Sequence, residues 1–336
     1  MWKVTNEENK KYLIAFRKRL INPLMKSILI YKLKENKYNS FSNYLNSHEF
    51  VFGNSKELLK IAISITKDGK KIGDYIEEIK KKELSYLINQ YNVYQNQTKS
   101  LDNLDYNIVF EPVDEIYKTI FSKFFYQSFF TDNRIWCEIN SQLSNYNRLE
   151  FHHNFKKEND MSICPYCDID TITSDGNVII EHYMPKDKYP FLAMHPNNLI
   201  SACYGCNGPH GKRINYYIPI TSPYKKQIGD EIIFNLDKKN KKVVLSSLDN
   251  EEVNNFIKML NLKEKYESES VFNILNNKSK QIFRQCWKYE NMCTEKIDEI
   301  LFEDYLLFKK EPLTFATKCI YRDIVYYEDY KRNLSK

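Results

Sequence analysis

The chain has 336 residues, with 50 Lys and Arg against 44 Asp and Glu for a net charge of +6. That length allows about two domains of ordinary size and a full buried core. A hydrophobic content of 42% with 28% charged residues excludes a disordered or collagen-like chain, and a pI of 8.6 lies below the value of about 9 at which charge alone marks a nucleic-acid binder. Only 8 glycines are present, and neither G-x-G-x-x-G nor G-x-x-x-x-G-K-[ST] occurs, which weighs against dinucleotide-binding and P-loop folds. Apolar runs such as Ser27 to Tyr31 and Phe124 to Phe130 are far shorter than the ~18 residues of a membrane span. The first residues lack the apolar core of a signal peptide, so a cytoplasmic setting is expected. There the 8 cysteines are thiols or metal ligands and not disulfides.

In chain order, Leu13, Phe16 and Leu20 stand at helical spacing, and Pro23 is expected to break or kink that segment. Asn54 and Glu57 read as a capping box before Leu58 and Leu59. A third helix is predicted from Ile72 through Ile76 and Ile79 to Leu87, and a fourth from Pro112 through Ile116, Ile120, Phe121, Phe124 and Phe125. The aromatics from Phe121 to Trp136 read as a core seam, because they recur at helical spacing with little basic charge between them. Helical periodicity stops over 164–213. Beyond it Glu231 to Phe234 and Val243 to Leu245 flank Lys238-Lys239-Asn240, which predicts a β-hairpin. Val253, Phe256, Ile257 and Leu260 then form one helical stripe, followed by amphipathic patterns through Ile282, Phe283, Ile297, Leu301 and Ile320 to Tyr327. Basic charge gathers outside the central segment. Residues 1–37 carry ten Lys and Arg against three Glu, and 225–242 carry six Lys against three acids. Contact with nucleic acid and a merely solvated face explain that distribution equally well.

Cys164-Pro165-Tyr166-Cys167 and Cys203-Tyr204-Gly205-Cys206 are two Cys-x-x-Cys pairs 35 residues apart. Two intervening residues let both thiolates of a knuckle reach one tetrahedral ion, so a structural zinc site is expected. A redox site of the thioredoxin kind needs one pair opening a helix, not two pairs framing a loop. Cys137, Cys286, Cys293 and Cys319 stand singly in helical patterns and read as buried packing residues. Inside the frame, Val178-Ile179-Ile180 leads into Glu181-His182, and Pro196-Asn197-Asn198-Leu199-Ile200 is expected to open a helix leading to Cys203, with Asn207 just beyond.

These residues resemble the zinc-bound HNH endonucleases, the ββα-metal nuclease family. The branch most similar includes the nuclease subunits of Septu-type and retron-linked antiphage systems, which act beside an ATPase. The matching residues are Cys164 to Cys167, Glu181-His182-Tyr183-Met184-Pro185-Lys186, Lys188-Tyr189-Pro190, Asn198-Leu199 and Cys203-Tyr204-Gly205-Cys206-Asn207. Tyr217 to Ile220, Pro223, the hairpin and Leu260-Asn261-Leu262 resemble that branch as well. The resemblance covers residues 160–265, and the flanking segments match no family. It implies a zinc-bound ββα-metal nuclease core over 156–265; with the helical periodicity on either side, the expected fold is α+β, mainly α, with a helical domain over 1–155 and C-terminal helices over 266–336.

The resemblance further implies that His182 deprotonates the attacking water, that Glu181 and Asn207 hold one Mg²⁺ or Mn²⁺, and that the Asn198 amide bonds loop backbone to keep His182 in register. Cys164, Cys167, Cys203 and Cys206 hold Zn²⁺. Lys186, Lys188, His210, Lys212 and Arg213 are the candidate phosphate contacts, His210-Gly211 standing where Lys-Gly is usual. His195, beside Pro196, reads as a structural residue of its loop. DNA is the favoured substrate, an ATPase subunit the candidate partner, and the helical flanks are expected to restrain the nuclease or dock that partner. A catalytically silent, zinc-stabilised nucleic-acid-binding or adaptor module is the alternative.

Overall fold

Apolar periodicity becomes helix through most of the chain, as a computed structural model shows for residues 1–140, 146–207, 211–212, 214–247, 249–288 and 309–334. The helices are α1 (Glu7–Phe16), α2 (Asn22–Leu33), α3 (Phe41–Asn46), α4 (Lys56–Ser64), α5 (Ile72–Lys80), α6 (Leu84–Asp102), α7 (Glu115–Thr119), α8 (Asn133–Ile139), α9 (Arg148–Asn159), α10 (Tyr204–Asn207), α11 (Glu251–Met259), α12 (Leu262–Tyr266), α13 (Glu269–Lys288) and α14 (Thr314–Leu334). Three two-stranded sheets pair β1 (Thr66–Lys67) with β2 (Lys70–Lys71), β3 (Val178–His182) with β4 (Leu199–Cys203), and β5 (Ile232–Asp237) with β6 (Lys242–Ser247). Among the described residues no helix is long and apolar enough to cross a membrane.

Two compact units emerge: Thr5–Glu158 with Ile180–Ile200, and Met1–Val4 with Asn159–Ile179 and Ser201–Lys336. The division therefore runs through both β3 and β4, and it differs from the three consecutive segments expected from sequence. Its physical basis is the loop after β3, whose side chains belong to the helical unit's core. Phe191 packs edge-on against Phe121 at 4.9 Å and against Tyr94 and Tyr117 at 5.7 Å. Such aromatic pairs contribute ~0.5–1.5 kcal/mol each beyond their area.

Within the helical unit the aromatic seam is core: Phe121, Phe124, Phe125, Phe129, Phe130 and Trp136 are all buried. Pro23 does not end its helix. It falls in the first turn of α2, where a missing N–H is tolerated, directly after π-helical turns over Arg17–Ile21. The capping box is not formed either, since 53–55 make a 3₁₀ turn and α4 starts at Lys56 without a side-chain cap. The long third helix is two, broken over 81–83. The fourth starts at Glu115, capped by the Asp114 carboxylate accepting from the Ile116 N–H, and passes into π-helical turns over Ile120–Ser128.

The second unit holds the hairpin β5–β6, with Phe234 opposite Leu245 and Leu236 opposite Val243. Asp237 accepts from the Asn240 backbone and side chain at its turn. α11 is capped by Asn250 and buries Val253, Phe256 and Ile257. Residues 199–203, expected as helix, form β4 after a 3₁₀ turn over Pro196–Asn198. All five are buried, so their continuous apolar run carries no alternation to separate strand from helix. Cys137 is exposed and Cys319 partly so, which corrects their reading as buried packing residues. Cys286 lies in α13, while Cys293, Ile297 and Leu301 lie outside the described residues.

Candidate functional site

The cysteine centre lies in the second unit. The first knuckle is a tight hairpin: the Cys164 N–H donates to Asp170 O at 2.8 Å, the Asp168 N–H to Cys164 O at 3.1 Å, and Ile163 bridges Thr171. Asp168 turns the corner at φ 59°, in the left-handed region that aspartate tolerates better than most residues. The second knuckle joins β4 to α10, and the Cys203 N–H points at Cys164 Sγ at 3.3 Å. Gly211 closes behind it, where any Cβ would sit 2.3 Å from the Cys206 carbonyl oxygen. The four sulfurs lie within 4.8 Å of one another, with Cys164–Cys206 at 3.9 Å and Cys167–Cys203 at 3.8 Å. Four sulfurs each ~2.3 Å from a common ion in a tetrahedron stand ~3.8 Å apart, so the centre fits a structural zinc. It is the one such group of metal-ligating side chains found among the described residues.

Long-range bonds tie the knuckle to the rest of its unit. Buried Asp168 accepts from the Trp2 indole at 2.8 Å and from the Phe315 N–H at 3.0 Å, and the Tyr266 hydroxyl donates to Cys167 O at 2.8 Å. Burial raises Asp168 to about 7, against the pull of those two donors. Lys265 reaches Cys206 Sγ at 3.0 Å. Burial alone would lower its ammonium, but the surrounding cysteine sulfurs outweigh that and hold it above its ordinary value. This cation partly offsets the negative charge that four thiolates leave on a bound Zn²⁺.

Glu181, His182 and Asn198 lie in the helical unit, at the end of β3 and just before β4, and all three are buried. His182 Nε2 is 3.0 Å from Ala193 O. A carbonyl only accepts, so in the neutral ring Nε2 carries the proton and Nδ1 keeps the lone pair. Asn198 uses both ends of its amide: Oδ1 accepts from the Met184 N–H at 2.6 Å, while Nδ2 donates to Met184 O at 3.1 Å and Leu192 O at 3.0 Å. It thereby laces together both sides of the loop that carries His182. Replacing Asn198 by Ala leaves three buried backbone groups without these partners, so urea unfolding should show a loss of ~3 kcal/mol. Asn198→Asp keeps the acceptor but sets a carboxylate oxygen against the Met184 and Leu192 carbonyls, so it should be no more stable than Ala.

His195 has the structural role its isolation suggested. Nδ1 accepts from the Asn197 N–H at 3.3 Å, and Nε2 donates to Asp102 at 3.0 Å. Asn197 is held in turn by Leu101 O and by the Tyr106 hydroxyl. Burial lowers the His195 imidazole, with Asp102 opposing. Burial alone would raise Asp102, but bonds from His195 and Arg17 bring it down to about 2. A histidine depressed in the folded state gives full stability above its unfolded value of ~6.5 and loses it as pH falls below that. The contribution of His195 should therefore fall between pH 7 and pH 5, read as the difference in thermal midpoint between wild type and His195→Gln, because the raised Asp168 carboxyl acts with the opposite sign over the same range.

The remaining sequence-predicted residues are placed as follows. Asn207 ends α10 in the second unit and is half-buried, so it is not in the unit that brings Glu181, His182 and Asn198 together. Lys186 and Lys188 are half-buried. Lys212 is fully buried, with 0% exposure, its N–H on Cys206 O, which does not suit the surface phosphate contact expected of it. His210 and Arg213 lie outside the described residues. Sequence reasoning missed Tyr126, whose ring stands 4.3 Å from the His182 ring and whose hydroxyl donates to Ile180 O at 3.0 Å. Nothing local to position 126 marks it, since it reads as one more aromatic of the seam.

No protein-family profile matches the chain, and no solved structure matches it. Among curated proteins, the Septu protein PtuB of Bacillus thuringiensis is 35% identical over 60 residues. Those residues are 18% of this chain and 23% of that relative, so the similarity spans less than a quarter of the relative's length. The chain is thus distantly and partially similar to a Septu protein, and it carries a four-cysteine centre able to hold a structural metal such as zinc.

Proposed function

We propose that this chain is a metal-dependent endonuclease of the HNH type that hydrolyses phosphodiester bonds, DNA first, as an effector of antiphage defence beside a partner such as an ATPase subunit. The observation that carries the reading is buried His182, its Nε2 tied to Ala193 O and its loop laced by Asn198. With Nε2 carrying the proton, Nδ1 is the nitrogen whose lone pair general-base catalysis would use. The partial similarity to a Septu protein supports the defence role.

His182 Nδ1 takes the proton from the water that attacks phosphorus, and an imidazole suits that task near neutral pH. Asn198 keeps the loop, and with it the ring, in place. The Glu181 carboxylate is a hard donor of the kind that holds Mg²⁺ or Mn²⁺. Such an ion, when bound, neutralises charge at the scissile phosphate and on the leaving oxygen. Lys186 and Lys188 add cationic contacts to the backbone of the substrate. The zinc centre fixes the scaffold and takes no part in the chemistry.

The test is relaxation or linearisation of supercoiled plasmid by zinc-loaded protein with Mg²⁺ or Mn²⁺, alone and together with the products of neighbouring genes. Cleavage that disappears in His182→Ala supports the reading. Absence of cleavage of DNA and RNA under every one of these conditions overturns it in favour of a silent adaptor module.

A further inference from the structure

The bond from His182 Nε2 to Ala193 O fixes one point of the imidazole. In the helical unit a ring contact adds to it. Tyr126, in the π-helical turns over Ile120–Ser128, sets its ring 4.3 Å from the His182 ring at 66° to it. Tyr126 is itself pinned three ways. Its hydroxyl donates to Ile180 O at 3.0 Å, directly before Glu181. Its carbonyl accepts from Arg148 Nη2 at 2.7 Å. Its ring also lies under the Arg148 guanidinium, 4.3 Å from the centroid, while Phe130 flanks the same cation at 5.1 Å. Arg148 opens α9. A cation stacked on one ring, a hydrogen bond to its own backbone and a π-helical bulge, a feature frequent at functional sites, make an unusually constrained tyrosine.

We infer that Tyr126 is a positioning residue for His182 and that Arg148 is the clamp that holds Tyr126, so that the helical region, which carries none of the nuclease motif, builds one wall of the site. The inference rests on the endonuclease reading for its rate consequence. A displacement of about 1 Å in a catalytic group costs on the order of 10²-fold in rate. Tyr126→Leu, which removes the ring, should therefore lower kcat by about 10²-fold while KM for DNA is unchanged. Tyr126→Phe keeps the ring and loses one hydrogen bond, and should cost only about threefold.

A second readout does not need cleavage. Full-length protein labelled with ¹⁵N-histidine, the His182 signals assigned by their loss in His182→Gln, should show a single Nε2–H tautomer in wild type and in Tyr126→Phe. Tyr126→Leu should show exchange between tautomers, with zinc content and far-ultraviolet circular dichroism unchanged. Should Tyr126→Leu fail to fold, Arg148→Gln at its half-buried position carries the same two readouts. A wild-type histidine spectrum in the ring-deleted or clamp-deleted chain overturns the inference. A wild type that cleaves nothing overturns the endonuclease reading and leaves the spectrum to decide the positioning role.

Discussion

Alanine at Cys206 is expected to yield a chain that purifies with well under one zinc and unfolds at a markedly lower temperature. Cys206 Sγ is 3.9 Å from Cys164 Sγ and receives the Lys265 ammonium at 3.0 Å, so the substitution removes a ligand and leaves a half-buried cation without its sulfur. Structural zinc sites supply folding free energy directly, and a loss of ~5 kcal/mol is in keeping with that role. In a chain of this size that corresponds to a fall of roughly 7 °C. Elemental analysis and calorimetry check it together, and chelation of the wild type should reproduce the same shift. Cys319→Ala, at a partly exposed thiol that is not one of the four, is the control and should move neither. Full zinc retention with an unchanged melting temperature in Cys206→Ala would show that the centre is not structural.

Alanine at His182 should separate chemistry from scaffold. Loss of a positioned general base lowers the cleavage rate by about 10² to 10⁴-fold. The zinc content should stay at the wild-type level, because the four cysteines all belong to the other unit. Some stability goes too. Ala193 O loses its 3.0 Å partner inside the loop, at a cost of ~1–2 kcal/mol. His182→Gln retains an N–H able to reach that carbonyl, so it should recover stability without recovering rate. Single-turnover plasmid cleavage beside urea unfolding makes the comparison, and a wild-type rate in His182→Ala would remove the mechanism.

What the sequence made legible is what local spacing encodes. Two Cys-x-x-Cys pairs can only converge if the chain returns on itself, and the sulfurs do so within 4.8 Å. The hairpin at Phe234 and Leu245 followed from alternation around a polar turn, and the seam from Phe121 to Trp136 followed from helical period. Errors arose where period gives no decision. Leu199 to Cys203 are buried on both faces, so strand and helix look alike. Asn54 and Glu57 carry cap chemistry, yet a 3₁₀ turn takes the residues the cap would need. Tyr126, Arg148 and the donors on Asp168 were invisible for another reason: they act across 22 to 166 residues of chain, and no local signal reports a partner that distant.

The interleaving of the two units bears on how the protein can be cut and recombined. Residues 160–265 contain every recognisable motif, which makes them an inviting fragment to transplant or express alone. Yet Tyr183, Tyr189, Phe191 and Leu192 are buried in the full chain, and Phe191 has its aromatic neighbours at Tyr94, Tyr117 and Phe121. Excision would turn that loop into an apolar surface patch, prone to self-association. Exchanging residues between relatives therefore calls for grafts of individual surface positions onto an intact chain, with the helical segment travelling alongside the motif as one inherited piece.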